Sequence, residues 1–162
     1  MKHLILLAPV ALVACNTPFF QGLTAEDGAP AATAAVPAPT LDPTPAPPPP
    51  VGANTVDALD TTTQEDRDAA LAAPAESKGE QRLGTTLATL GSPADPGIWI
   101  ETPLVTELVM GRAEVAATGK TVNLELRPSG AEEGSGSEIS LPAMRLLEVP
   151  LTAIQELVLY RS

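Results

Sequence analysis

The sequence predicts a mainly β chain, in which one small barrel-like domain with one or two short helices follows a long segment that does not fold. Residues 121–127 alternate strictly between apolar and polar side chains, which is the pattern of a half-buried strand. Nine of the 18 prolines lie between residues 30 and 50, a density that no packed element tolerates. Aromatic residues make up only 2% of the chain, so the core must be aliphatic.

The N-terminus has the layout of an export signal. Residues 1–14 combine a basic start with an apolar run that is too short to span the ~30 Å of a bilayer core. The run ends in Leu12, Val13, Ala14 and Cys15. These four residues resemble the lipobox of bacterial lipoproteins, in which the signal peptide is cut before a cysteine that carries acyl chains.

The lipobox resemblance implies an address in the cell envelope. Leu12, Val13 and Ala14 would be the recognition residues, and Cys15 would be the lipidation site, with the lipid bilayer as its partner. Acyl chains contribute about 0.8 kcal/mol per buried CH₂, so two or three of them anchor a protein stably. Asn16 is not the aspartate that favours inner-membrane retention in such lipoproteins, which implies the outer membrane, facing the periplasm. A buried structural cysteine is the alternative.

Charge and composition exclude several functions. The formal net charge of −11 argues against nucleic acid as a partner. His3 and Cys15 are the only histidine and cysteine, so the chain beyond an acylated Cys15 lacks both groups. This removes Ser-His-Asp and Cys-His catalysis and the usual zinc ligand sets. We predict no catalytic residue, metal site or cofactor, although carboxylate chemistry, a Ser-Lys pair and a magnesium or calcium site stay open.

Residues 15–60 are predicted to form the lipidated N-terminus and a disordered Pro/Ala-rich linker. A short helix over residues 61–74 follows. Thr62 and Glu65 have the spacing of a capping box, and Pro74 ends the helical pattern.

Residues 80–162 form the predicted β-rich domain. The sequence predicts a short helix over 141–147 that Ser140 can cap, and a mobile Gly-rich loop over 128–137. The predicted strands are 85–90, 98–102, 111–115, 121–127 and 157–160.

The segment 119–162 resembles the second half of a double-psi β-barrel of the rare-lipoprotein-A type. Residues 119–126 read GKTVNLEL, and residues 137–147 read SEISLPAMRLL after a Gly-rich loop. The family has an NGR-S-V turn that enters a strand, and later an IDLS-x-AA-x-x-LG segment that opens a short helix. Its catalytic loop aspartate would fall near Pro128, and its catalytic histidine is missing here. The resemblance implies the fold without the peptidoglycan-cleaving activity; another small β domain is the alternative.

The chain is also similar to short Pro-rich lipoproteins that carry the label galactarate dehydratase. A dehydratase of that type needs a much larger domain and metal ligands that this chain lacks. We therefore do not transfer that activity.

Three residues are candidates for binding. Trp99 could stack on a sugar ring or a partner, although a lone tryptophan is more often a core residue. Arg112 and Arg127 could meet a carboxylate of peptidoglycan or of a protein, although surface ion pairs are the simpler interpretation. The acidic residues of segment 132–138 lack the order of a calcium loop, so a solvated loop is favoured.

Two functions remain open. The first is a non-catalytic envelope lipoprotein, in which a tethered small β domain binds a cell-wall or outer-membrane partner, with peptidoglycan or an envelope protein as that partner. The alternative is a carboxylate-dependent enzyme that cleaves a glycan or acts as a sugar-acid lyase. An enzyme needs carboxylates that converge in a pocket. The positions of Glu101, Glu114, Glu125 and Glu138 therefore distinguish the two.

Overall fold

A computed structural model describes residues 46–72 and 80–162 of the chain. The predicted signal peptide, the predicted lipidation site Cys15 and the first part of the predicted linker lie outside these residues. So does Pro74, the predicted end of the helix. No helix of the described segments is long and apolar enough to cross a membrane.

The described chain contains six strands and three short helices, which confirms the mainly β prediction. The structure has three helices where the sequence predicts one or two, because a four-residue helix precedes the helix predicted over residues 61–74. The helices are α1 (Val56–Leu59), α2 (Gln64–Leu71) and α3 (Leu141–Leu146). The strands are β1 (Gln81–Leu90), β2 (Trp99–Thr102), β3 (Val109–Val115), β4 (Thr121–Pro128), β5 (Ser137–Ile139) and β6 (Gln155–Arg161).

The six strands close into a barrel in the order β1-β5-β2-β4-β3-β6, and β6 pairs back with β1. The pairs β1/β5 and β2/β4 are parallel, and the other four are antiparallel. Strand β5 is short and pairs with β1 only over residues 88–90, so the rest of that side of β1 has no strand partner among the described residues.

The strand pairs have an internal two-fold relation. Advancing every strand number by three converts β1/β5 into β4/β2 and β1/β6 into β4/β3, and it leaves β2/β5 and β3/β6 unchanged. The barrel thus consists of two interleaved halves, β1–β3 and β4–β6. The halves differ in one connection, because α3 joins β5 to β6 whereas residues 103–108 join β2 to β3 without a helix.

The alternating strand predicted at 121–127 is β4, and its inward face is confirmed. Val122, Leu124 and Leu126 are each 0% exposed. They share one core cluster with Leu157 and Leu159 of the final strand. Full burial of an aliphatic side chain contributes about 1.5–3 kcal/mol, so this aliphatic cluster supplies stability in a domain with few aromatic residues.

Gly111 lets β3 pass close to its neighbours. A Cβ atom at this position would lie against the backbone carbonyl oxygen of Tyr160 and 2.5 Å from Leu126 Cδ1. The barrel wall therefore has no room for a side chain here.

Strand β5 was not predicted, because the sequence places residues 128–137 in a loop. Three residues are too short to show a period of two, yet Ser137 and Ile139 face inward and Glu138 faces outward. Ser140 also differs from the prediction. It makes no side-chain cap bond to α3; its Oγ accepts a hydrogen bond of 3.0 Å from the backbone N–H of Trp99.

Helix α2 begins one residue later than the capping box predicted from Thr62 and Glu65. Thr63 is the N-cap residue, and it forms the capping box with Asp66. Both pairs have the required spacing, but the hydroxyl of Thr62 donates to Asp60 Oδ1 at 2.5 Å instead. A local contact therefore decides between two equivalent patterns.

Residues 46–72 form a strap on the barrel, and the first part of the strap belongs to the segment 15–60 that the sequence assigns to the linker. Arg145 of α3 donates to Asp60 Oδ2 at 2.8 Å and to Asp57 Oδ1 at 2.9 Å. Asn123 Nδ2 of β4 donates to the carbonyl oxygen of Ala72 at 2.9 Å. These contacts join residues that are distant in sequence, so local composition does not reveal them.

Candidate functional site

Trp99 is packed within the protein. Its residue is 2% exposed, and its indole N–H donates to the carbonyl oxygen of Asp95 at 3.4 Å. The guanidinium carbon of Arg127 lies 4.9 Å from the centre of the ring, within the range of a cation–π interaction. The ring therefore has no free face for a ligand in this structure. Trp99 is a core residue, which is the alternative that the sequence analysis gives.

Arg112 of β3 is held by two glutamates and a tyrosine. Its Nε donates to Glu80 Oε1 at 2.7 Å, and its Nη1 donates to Glu114 Oε2 at 3.0 Å. Its guanidinium carbon lies 3.9 Å from the ring centre of Tyr160. The hydrogen bond with Glu80 raises the pKa of Arg112 and lowers the pKa of Glu80. These contacts occupy the guanidinium group of Arg112, which the sequence analysis names as a candidate for binding a partner.

Arg127 of β4 is occupied in the same way. Its Nη1 donates to Asp95 Oδ2 at 3.2 Å, and its Nη2 donates to Glu125 Oε2 at 3.0 Å. The three candidate residues Trp99, Arg112 and Arg127 thus serve packing and ion pairs in the described chain. The structure brings Trp99 and Arg127 into contact, whereas Arg112 lies against Tyr160, so the three do not form one binding site.

An open groove of about 750 Å³ lies elsewhere, along β1 and β5 and beneath the connections that follow β2 and β4. We call it the β1–β5 groove. The sequence analysis names the acidic segment 132–138 but none of the strand residues that line the groove. The groove forms only because β5 pairs with both β1 and β2. Its lining includes Leu87, Glu101, Glu133, Ser137, Glu138 and Ile154.

Three glutamates and six serine or threonine residues supply the polar side chains that line the groove. Glu101 of β2 and Glu138 of β5 are direct cross-strand partners, so their side chains leave the barrel side by side. Glu133 from the connection between β4 and β5 lines the same groove. No arginine or lysine lines the groove, and no ion pair within the described residues involves these three glutamates.

Two nearly buried hydroxyls also line the groove. Thr86 is 8% exposed and Ser137 is 7% exposed. Their oxygens lie 2.8 Å apart in a hydrogen bond whose donor can be either group. Both side chains lie at inward-facing positions of their strands, and each is the hydrogen-bond partner of the other.

The positions of four glutamates distinguish a binding protein from a carboxylate-dependent enzyme, and in the structure these four residues form two pairs. Glu114 and Glu125 lie against Arg112 and Arg127 respectively. Glu101 and Glu138 converge at the groove. Across the described part of the chain, no group of three or more His, Cys, Asp and Glu side chains is arranged to hold a metal ion.

The fold and the groove together define a class, namely a closed six-stranded mixed β-barrel with an N-terminal strap and an open acidic groove. Comparison of the chain with protein-family models, curated proteins and solved structures finds no match.

Proposed function

We propose that this chain is a non-catalytic envelope lipoprotein whose small barrel is tethered through Cys15 to the outer membrane and binds an envelope partner in the β1–β5 groove. The groove is the observation that carries the proposal. It combines solvent-facing carboxylates, hydroxyls and exposed aliphatic side chains in one concave surface. Concave surfaces of mixed chemistry are the usual binding sites of proteins.

The anchor part of the proposal is supported by the lipobox-like residues 12–15 and the apolar run before them. A chain anchored by acyl groups needs no membrane-spanning helix.

The barrel supports the resemblance to the double-psi family, which we also propose. In the half of the chain that carries the resemblance, β4 follows the turn at Gly119, α3 opens after Ser140, and β6 closes the barrel. The internal two-fold relation of the strand pairs supports a fold made of two related halves.

The first test replaces Cys15 with serine. We expect the variant to move from the membrane fraction to the soluble fraction, because serine cannot take the thioether-linked lipid. Fractionation and detergent partitioning measure this change. Thr17→Ser serves as the control and should stay with the membrane; a Cys15→Ser variant that stays there too would contradict the anchor.

The second test asks whether the groove meets a partner. A photo-crosslinking amino acid at Leu87, which is 57% exposed and lines the groove, should capture one abundant envelope component. The same group at Leu108, which is 61% exposed and does not line the groove, is the control. Equal capture at both positions would contradict a groove-specific partner.

A second candidate function rests on Glu101 and Glu138. Two neighbouring carboxylates are the minimum for acid–base cleavage of a glycosidic bond or for proton abstraction in a lyase. Incubation of the protein with purified peptidoglycan separates the two functions. Release of soluble fragments that Glu101→Gln abolishes would establish an enzyme and overturn the non-catalytic proposal.

A further inference from the structure

Building on the proposed function, we propose that the β1–β5 groove binds an extended peptide segment of an envelope protein, which adds to the free edge of β1 as a further strand. The free edge is the part of β1 before Ala88, on the side that β5 does not reach. Four features of the described chain support this proposal. They are the direction of the backbone groups, the shape of the groove, the cover on the other half of the barrel, and the side chains beside the edge.

The backbone of the free edge has hydrogen-bonding groups without a strand partner. A Cβ atom on Gly136, directly before β5, would lie 3.1 Å from the carbonyl oxygen of Leu87, so this oxygen faces the side of β5. Backbone groups alternate in direction along a strand, so those of Thr85 face the same side and those of Thr86 face β6. Pairing with β5 starts only at Ala88, and no turn or loop of the described residues bonds to the backbone of Thr85. Such unpaired N–H and C=O groups are a template for another strand.

The groove around the free edge suits a flexible chain. It has a volume of about 750 Å³, and its lining combines residues of β1 with parts of the connections that follow β2 and β4. These connections flank the edge, so the surface of a second folded barrel cannot lie flat against it. An extended segment occupies only the ~4.7–4.9 Å of one strand and fits between them.

The other half of the barrel has a chain segment at the related position. β4 is the counterpart of β1 in the internal two-fold relation, and its parallel partner β2 likewise covers only Glu125–Pro128. Helix α2 packs on the earlier part of β4. There Asn123 Nδ2 donates to the carbonyl oxygen of Ala72 at 2.9 Å, and Ala70 joins the core cluster of the barrel. No described segment covers β1 in this way, since Leu87 is exposed. The relation between the halves therefore points to a polypeptide segment at β1 too.

The aliphatic side chains beside the edge indicate which segment fits. Leu87 of β1 is 57% exposed and Ile154 is 67% exposed, and both line the groove. Side chains of an added strand alternate between two faces, so every second one lies on the face of Leu87. Aliphatic and β-branched cross-strand neighbours stabilise a pair of strands. We therefore expect a partner segment with an aliphatic residue at every second position.

Amide hydrogen exchange of the full chain, purified in mild detergent, tests the free edge directly. The probe is an octapeptide of alternating threonine and valine, blocked at both ends. The control peptide has the same side chains and an N-methyl group on every backbone amide, so it cannot pair as a strand. The N–H of Thr85 should exchange quickly in the free protein and about tenfold or more slowly when the probe is bound. The N–H of Thr86, which faces β6, should exchange slowly in both states.

A pair of variants removes the backbone donor with a matched control. Thr85→Pro takes away the N–H of the free edge, and proline is tolerated where that N–H faces solvent. Thr85→Ala loses the same hydrogen bond from Arg82 to the Thr85 hydroxyl but keeps the N–H. Fluorescence polarisation with a labelled probe should show binding weakened about tenfold or more in Thr85→Pro and nearly unchanged in Thr85→Ala. Melting curves check that both variants fold, and the exchange measurement needs neither of them.

Four outcomes would overturn the inference. They are slow exchange of the Thr85 N–H in the free protein, exchange that a saturating amount of the probe does not slow, no binding of the probe, and equal binding of the probe and its N-methylated form. Crosslinking from Leu87 distinguishes this failure from failure of the proposed function. Capture of an envelope component at Leu87 without strand pairing leaves a binding module with a different ligand; loss of both removes the groove as a site.

Discussion

At the residue scale, the alternation in β4 places neighbouring side chains in opposite environments. Leu124 is fully buried, whereas Glu125 points outward and pairs with Arg127. We expect Leu124→Ala to lower the free energy of unfolding by about 2–5 kcal/mol, because it leaves a cavity in the core. Glu125→Ala should cost about 0.2–1 kcal/mol, the range of exposed ion pairs. Urea unfolding followed by circular dichroism measures both; equal midpoints would mean that the inward face is wrong.

A second residue-scale prediction concerns acid. The hydrogen bond from Arg112 holds the pKa of Glu80 below its usual range, so the ionised carboxylate favours the folded state. Its contribution is complete above the pKa of an unfolded glutamate, and it is lost as pH falls through the lowered folded-state pKa. Glu80→Gln should therefore lose stability at neutral pH and show a smaller further loss on acidification.

Thermal melts from pH 7 to pH 3 measure this dependence. Glu156→Gln is the reference, since Glu156 is exposed and makes no ion pair within the described residues. A pH profile of Glu80→Gln that parallels the unchanged protein would show that this carboxylate is not linked to folding.

At the element scale, the strap depends on Asp60. Its side chain is 3% exposed, and it joins Arg67 of the strap to Arg145 of α3. Asp60→Asn should weaken the docking of residues 46–72 by about 1–3 kcal/mol, since hydrogen bonds to a charged group are lost. Trypsin should then cut after Arg67 faster than in the unchanged protein, as a loosened segment is the first to be cleaved.

Asp57→Asn is the control for the strap. Asp57 also bonds to Arg145, but its side chain is 89% exposed. Exposed ion pairs contribute little, so cleavage after Arg67 should stay near its original rate. If both variants were cleaved equally fast, the burial of Asp60 would not be what holds the strap.

At the scale of the whole molecule, closure of the barrel joins the ends of the domain. β1 pairs with β6, and the parallel partner of β1 is β5, so most of the wall around the groove comes from segments far apart in the chain. Such non-local pairs must be ordered before their contacts contribute stability. The groove is therefore a product of the complete barrel and of no single element.

Much of the fold was accessible from the sequence because its signals are local. The alternation of residues 121–127 predicted β4 and its buried face, and the predicted strands 98–102 and 111–115 lie within two residues of the bounds of β2 and β3. Strand β1 begins at Gln81, four residues before the predicted start at residue 85. The predicted last helix, 141–147, and last strand, 157–160, likewise lie within two residues of the bounds of α3 and β6. The interpretation of residues 12–15 as an anchor also rests on a local pattern, and it stays a prediction.

The sequence by itself determined the class of the domain, mainly β with an aliphatic core, and the absence of any histidine or further cysteine after Cys15. The tertiary structure decided which side chains can meet a partner. Trp99 and Arg112 are binding candidates in the sequence, but in the structure both are buried. Glu101 and Glu138 are neighbours only because β2 pairs with β5. The physical reason is that burial and ion pairing depend on residues far apart in the chain, while propensity and alternation depend on adjacent ones.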